Sequence, residues 1–179
     1  MKIKMKIKLF LSAAICLSLS NITFANDDLL LCATKIQAEL YTEAIPYCEK
    51  ACNLNDGLGC GVLGELFDEG RGVRQNYQQA KIYYEKACNL NEGLSCSNLG
   101  FLYDKGLGLR QDMSVAVSYF EKGCNLNEGI SCKNLGISFE YGQGVRQNRT
   151  TAKEYYGKAC DLGKQECCDA YRKLNEQGY

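Results

Sequence analysis

The sequence predicts an all-α fold, a right-handed superhelical solenoid of αα-hairpin repeats stitched by disulfides, and three observations predict it. First, most of the 12 cysteines in the 179 residues fall on a 36-residue lattice: Cys52, Cys88, Cys124 and Cys160 each have a partner eight positions on, at Cys60, Cys96, Cys132 and Cys168. Second, the segments between partners are near copies, CNLNDGLGC, CNLNEGLSC, CNLNEGISC and a drifted CDLGKQECC. A period of this length marks stacked supersecondary units. Third, the residues between one junction and the next carry two stripes at helical spacing, separated by paired glycines.

The chain opens on Lys2, Lys4, Lys6 and Lys8, runs through LFLSAAICLSL and reaches Thr23-Phe24-Ala25. This is the pattern of a secretory signal peptide over 1–25, cleaved after Ala25; its apolar run is too short to span a bilayer. Cys16 has Ile15 before it rather than the small residue of a lipid-anchored cysteine, so it reads as ordinary signal sequence. The expected destination is exported, periplasmic or secreted, and there disulfides are the default state of a cysteine-dense chain.

Residues 26–52 read as an N-terminal capping hairpin. Leu29, Cys32, Ala33 and Ile36 reproduce the first helix of a repeat, and Ala44, Tyr47, Cys48 and Ala51 the second. The two cysteines stand in facing slots of an antiparallel hairpin, which predicts a Cys32–Cys48 bridge.

Residues 53–160 read as three repeats of 36 residues. Helix A of each is carried by Cys60, Leu63, Gly64, Phe67, by Cys96, Leu99, Gly100, Tyr103, and by Cys132, Leu135, Gly136, Phe139. Gly70, Gly106 and Gly142 stand where a helix ends in a left-handed residue, each followed two positions on by a second glycine. Asn76, Asp112 and Asn148 are N-caps for helix B. The buried stripe of helix B is Ala80, Tyr83, Tyr84, Ala87, then Ala116, Tyr119, Phe120, Gly123, then Ala152, Tyr155, Tyr156, Ala159. Its aromatics are expected to enter the notch left by Gly64, Gly100 or Gly136.

Residues 161–179 read as a C-terminal capping helix, with Arg172 in the place of the notch glycine. Cys167 is left over from the five predicted bridges. Two roles stay open for it: a spare thiol or alternative partner for Cys160, or a reactive thiol that pairs between chains, since a helix N-terminus lowers a cysteine pKa. The protein is expected to be a monomer unless Cys167 makes that pairing.

The series LG-x-L-[FY], G-x-G-[VL]-R-Q-[ND] and A-x-x-Y-[YF]-x-K-[AG]-C resembles the Sel-one-like repeat (SLR), a relative of the tetratricopeptide repeat. With its eight-spaced cysteines and secretion signal the chain is similar to the Helicobacter cysteine-rich protein family in particular, over about residues 44 to 174. That family resemblance implies penicillin binding and slow β-lactam hydrolysis, the activity behind a β-lactamase label. The residues offer no machine for it. There is no S-x-x-K, S-D-N or K-T-G, and no histidine for a zinc site or a general base. No metal and no cofactor is expected.

The competing reading is a binding module. By the tetratricopeptide resemblance the concave wall includes Gly61, Ser97 and Lys133, then Val62, Asn98 and Asn134, then Glu65, Phe101 and Ile137. Asn98, Lys133, Asn134, Phe101 and Ile137 are the ligand-binding candidates, the asparagines to grip a peptide backbone and Lys133 to meet a carboxylate. A peptide, a peptidoglycan fragment or a partner protein's tail fits such a groove, as does a β-lactam. Slow hydrolysis of penicillin or cephalosporin derivatives is the alternative. Nucleic acid is not an expected partner, because removal of the signal peptide leaves 17 basic against 21 acidic residues. Two further motifs read as structural: the sequon Asn148-Arg149-Thr150, where Asn148 is already a helix cap, and the pairs Arg74-Gln75, Arg110-Gln111 and Arg146-Gln147, a solvated ladder along the hairpin tips.

Overall fold

The computed structural model describes residues 27–179, so the predicted cleavage after Ala25 lies outside the described residues. A first helix α1 (27–37) leads into α2 (Tyr41–Asn53), α3 (Gly57–Glu69), α4 (Tyr77–Asn89), α5 (Gly93–Lys105), α6 (Met113–Asn125), α7 (Gly129–Tyr141), α8 (Arg149–Asp161) and α9 (Gln165–Glu176). There is no strand among the described residues, and none of their helices is long and apolar enough to cross a membrane. Odd-numbered helices take the A role and even-numbered ones the B role.

Helix A begins at Gly57, Gly93 or Gly129, three residues before the cysteine from which the periodicity started it. The reason is a cap hidden in the junction. Asp56 accepts from the Gly59 amide, Glu92 from Leu94 and Ser95, and Glu128 from Ile130. The preceding asparagines Asn55, Asn91 and Asn127 take φ of 62°, 65° and 63°, a left-handed turn that asparagine tolerates and that lets only three residues separate one helix from the next. In the drifted last junction Gly163 holds the same turn at φ 85°. Gly70, Gly106 and Gly142 end helix A as predicted, and Asn76, Asp112 and Asn148 cap helix B through their side-chain oxygens.

Each of the three repeat hairpins closes on two aromatic contacts. A β-carbon added at Gly64 would lie 2.4 Å from Tyr84, one at Gly100 2.6 Å from Phe120, and one at Gly136 2.5 Å from Tyr156, so the ring fills the notch. Beside it Phe67 stacks on Tyr83, Tyr103 on Tyr119 and Phe139 on Tyr155, with centroids 5.5 to 5.6 Å apart. The buried hydroxyls are satisfied: Tyr84 donates to Asp68 at 3.1 Å and Tyr156 to Glu140 at 2.7 Å. Phe120 has no hydroxyl, and Asp104 pairs instead with Lys105 at 2.7 Å.

Hairpins are joined by covalent and polar links. All five predicted disulfides are formed: Cys52–Cys60, Cys88–Cys96, Cys124–Cys132 and Cys160–Cys168 at the junctions, and Cys32–Cys48 within the first hairpin. A lysine in the last turn of helix B reaches back one unit, Lys86 to the Cys52 carbonyl at 2.7 Å and Lys158 to the Cys124 carbonyl at 2.8 Å, placing positive charge on a helix C-terminus. The disulfides place the folded chain in an oxidising compartment, extracellular or periplasmic.

Candidate functional site

Besides packing within hairpins, α3 approaches α5 and α5 approaches α7, while no comparable backbone packing links the even-numbered helices. The A helices are therefore the crowded, inner side of the stack, and the side chains they turn away from their own hairpins form one continuous wall. The B helices spend their aromatics on the core.

On that wall the repeats present three homologous rows. Val62, Asn98 and Asn134 are half-buried. Glu65, Phe101 and Ile137 follow one turn on, with Phe101 45% exposed and Ile137 partly packed against the core of the last hairpin. A turn further lie Glu69, Lys105 and Tyr141, the last 65% exposed. Lys105 extends over the Phe101 ring with its Nζ 5.7 Å from the centroid. Asn98 lies beside the Tyr84 hydroxyl, where its hydrogen bond opposes the rise that burial imposes on that phenol. The structure thus brings Asn98, Phe101, Asn134 and Ile137 onto one surface.

Two positions that the sequence placed on the wall are not there. Ser97 is 3% exposed and Gly61 is buried; a β-carbon at Gly61 would stand 2.7 Å from the hydroxyl of Ser95 in the next unit. This row faces the following repeat, and only the long side chain of Lys133 escapes, to pair with Glu166 at 3.4 Å.

The acidic end of the wall was missed as a site feature. The Glu65 carboxyl is pushed above its usual range, first by burial and then by the charge of Glu69, with Glu92 and Asp68 adding to the rise and Arg71 opposing it. One sequence signal was available: Glu65 and Glu69 are four apart on one helix, a like-charge pair. A raised carboxyl binds its proton more tightly in the folded state, so it favours folding below its unfolded pKa and this contribution is lost as pH rises through the folded value. Glu65→Gln is accordingly expected to raise the thermal midpoint at neutral pH. The difference from wild type should vanish at a pH of about 3, more than a unit below the ordinary glutamate pKa, where the group is neutral in both states; an equal gain at both pH values would refute the charge explanation.

Among the described residues, neither the buried tyrosines behind the wall nor the free cysteine is activated as a nucleophile. Burial drives the Tyr84 and Tyr156 phenols up, and both hold their protons toward carboxylates. Cys167 is unpaired and 1% exposed, and its thiol is raised, chiefly by burial. Its burial and raised thiol are those of an unreactive cysteine rather than of an exposed thiolate at a helix N-terminus.

The Sel1 repeat family model matches residues 59–92, 93–128 and 129–164. Among solved structures the chain is similar to a Sel1 repeat protein from Oxalobacter formigenes, at 25% identity and a TM-score of 0.80 over 83% of this chain and 61% of that one. It is similar to Helicobacter pylori cysteine rich protein B at 36% identity and a TM-score of 0.59, over 72% of this chain and 92% of that one. A protective antigen of uropathogenic Escherichia coli displaying an SLR fold shares the fold at 23% identity and a TM-score of 0.73, over 76% of this chain and 29% of that one. The chain spans less than two thirds of the Oxalobacter and Escherichia proteins. No curated protein sequence matches it.

Proposed function

The chain belongs to the Sel1 repeat family, and from that premise we propose that the protein is an exported scaffold that binds an extended peptide along its A-helix wall. The observation that carries the reading is the division of labour between helices. Tyr83, Tyr119 and Tyr155 on the B helices are stacked within their hairpins, whereas Phe101 and Tyr141 on the A helices are left in solvent with no aromatic partner among the described residues. Between them run Asn98 and Asn134, whose amides both donate and accept, as a peptide backbone requires. Aromatic anchors flanked by paired amides are what an extended chain needs for affinity and for register. Lys133, already beside the wall, would exchange Glu166 for a ligand carboxylate at small cost, because exposed ion pairs contribute only about 0–1 kcal/mol.

The test is titration of the oxidised protein with peptidoglycan stem peptides and a random peptide library, with labelled penicillin in parallel. Asn98→Ala and Asn134→Ala are each expected to weaken peptide binding about 5-fold, the worth of a hydrogen bond of about 1 kcal/mol, with helicity unchanged. Steady penicillin turnover that survives both substitutions would replace the scaffold reading with a hydrolase whose site lies elsewhere.

A further inference from the structure

The hairpin tip G-x-G-[VL]-R-Q-[ND] recurs in all three repeats, and the structure gives a task to every fixed position but one. The first glycines end helix A, and the second, Gly72, Gly108 and Gly144, press the tip onto the start of the preceding B helix, where an added β-carbon would meet Tyr41, Tyr77 or Met113 within 2.7 Å. Val73, Leu109 and Val145 are half-buried. Gln75, Gln111 and Gln147 donate their side-chain amides to the carbonyls of Asp68, Asp104 and Glu140 at 2.7, 2.6 and 2.7 Å, fastening the loop to the end of helix A. Asn76, Asp112 and Asn148 cap helix B.

Arg74, Arg110 and Arg146 are the exception. All three are exposed, and no salt bridge, side-chain hydrogen bond or cation–π contact holds any of them among the described residues. The acids at the end of helix A are committed elsewhere, Asp68 to Tyr84, Asp104 to Lys105 and Glu140 to Tyr156. Because each tip has the same backbone and sits on the unit before it, Arg74, Arg110 and Arg146 recur as a row at equivalent places on successive units. Its step is set by helix-on-helix packing, about 10 Å per layer.

We propose that this row binds a linear polyanionic glycan, a chain whose sulfate, phosphate or carboxylate groups recur along its length. A guanidinium presents a planar fork that takes an oxyanion through two parallel hydrogen bonds, which a chain of anions can meet repeat after repeat. One such exposed contact is weak, but three on one polymer act together. The row's width selects the partner. An anionic bilayer calls for a basic face with exposed apolar or aromatic residues to settle at the interface, whereas the residues flanking the arginines are half-buried Val73, Leu109 and Val145 on one side and the glutamines, then Asn76, Asp112 and Asn148, on the other. Duplex DNA presents a charge every ~1.7 Å over two strands and calls for a broad basic surface, whereas the tips offer a single file of three exposed arginines.

The experiment uses the oxidised protein and heparin as the linear polyanion. Wild type is expected to bind with log affinity falling against log salt at a slope of about −2, the value for roughly three released counterions on a flexible chain. The Arg74→Gln, Arg110→Gln, Arg146→Gln triple variant is expected to lose about 10-fold or more in affinity and most of that slope. A charge-matched control, Lys50→Gln, Arg172→Gln, Lys173→Gln, should stay within about 2-fold, since these residues lie off the tips. Circular dichroism on all three proteins separates loss of binding from loss of fold. Equal weakening in the control, or no wild-type binding at about 0.1 M salt, would overturn the proposal. Tighter, arginine-dependent binding to anionic phospholipid vesicles or to duplex DNA would overturn the glycan as partner.

Discussion

Reduction of the disulfides is expected to unfold the array, seen as loss of the helical far-ultraviolet signal on adding strong reductant at room temperature. Each junction bridge closes a loop of nine residues, and the chain-entropy relation gives about 2.6 kcal/mol for it and about 3.1 kcal/mol for the 17-residue loop of Cys32–Cys48. The five together reach about 13 kcal/mol, as large as the whole net stability of an ordinary domain, about 5–15 kcal/mol. A repeat array has no distant contacts to compensate, because each unit touches only its neighbours. A single Cys88→Ser, Cys96→Ser variant should lose about 2–3 kcal/mol in denaturant melts. An intact helical spectrum in the fully reduced protein would show that the hairpin cores suffice alone.

Filling a notch is the second large effect. Gly64→Val is expected to cost about 3 kcal/mol or more, measured as a fall in the denaturant midpoint at constant slope. A β-carbon there stands 2.4 Å from Cδ1 of Tyr84, and that ring cannot swing away, since it is fully buried and its hydroxyl is tied to Asp68. Any gain in helix propensity over glycine, at most about 1 kcal/mol, is outweighed by the overlap. Pairing the substitution with Tyr84→Ala should recover part of the loss, because the added methyls then enter the space that the ring vacates. Strict additivity of the two losses would mean that Gly64 is destabilised through its own helix and not through Tyr84.

The contrast between Gly64 and Gly61 shows what could be read in the chain. Gly64, Gly100 and Gly136 each lie on the same stripe as a cysteine and a leucine, and each faces an aromatic of its own hairpin, so a helical period of about 3.6 residues was enough to predict the contact. Cys32 and Cys48 were paired by the same argument, carried one repeat back. These are interactions within one hairpin or across one junction, where sequence spacing fixes distance.

Gly61 and Ser97 belong to a different class. Their neighbour is Ser95 or its equivalent in the following unit, and whether a helix A residue points into the groove or under the next repeat depends on the rotation between units, which no period along the chain encodes. The burial of Cys167, the capture of Lys133 by Glu166 and the approach of Glu92 to Glu65 arise from the same packing of unit on unit. The unpaired arginines of the tips were hidden for a more local reason: the motif was visible in the sequence, but only the finished loops show that glutamine fastens the turn and that the neighbouring acids are already bound. The sequence by itself determined the helices, the glycines that end helix A, the caps of helix B, the hairpins and the disulfides, because local spacing sets those energies. Tertiary structure decided which surfaces remain free, because burial and charge pairing between units depend on how one hairpin is turned against the next.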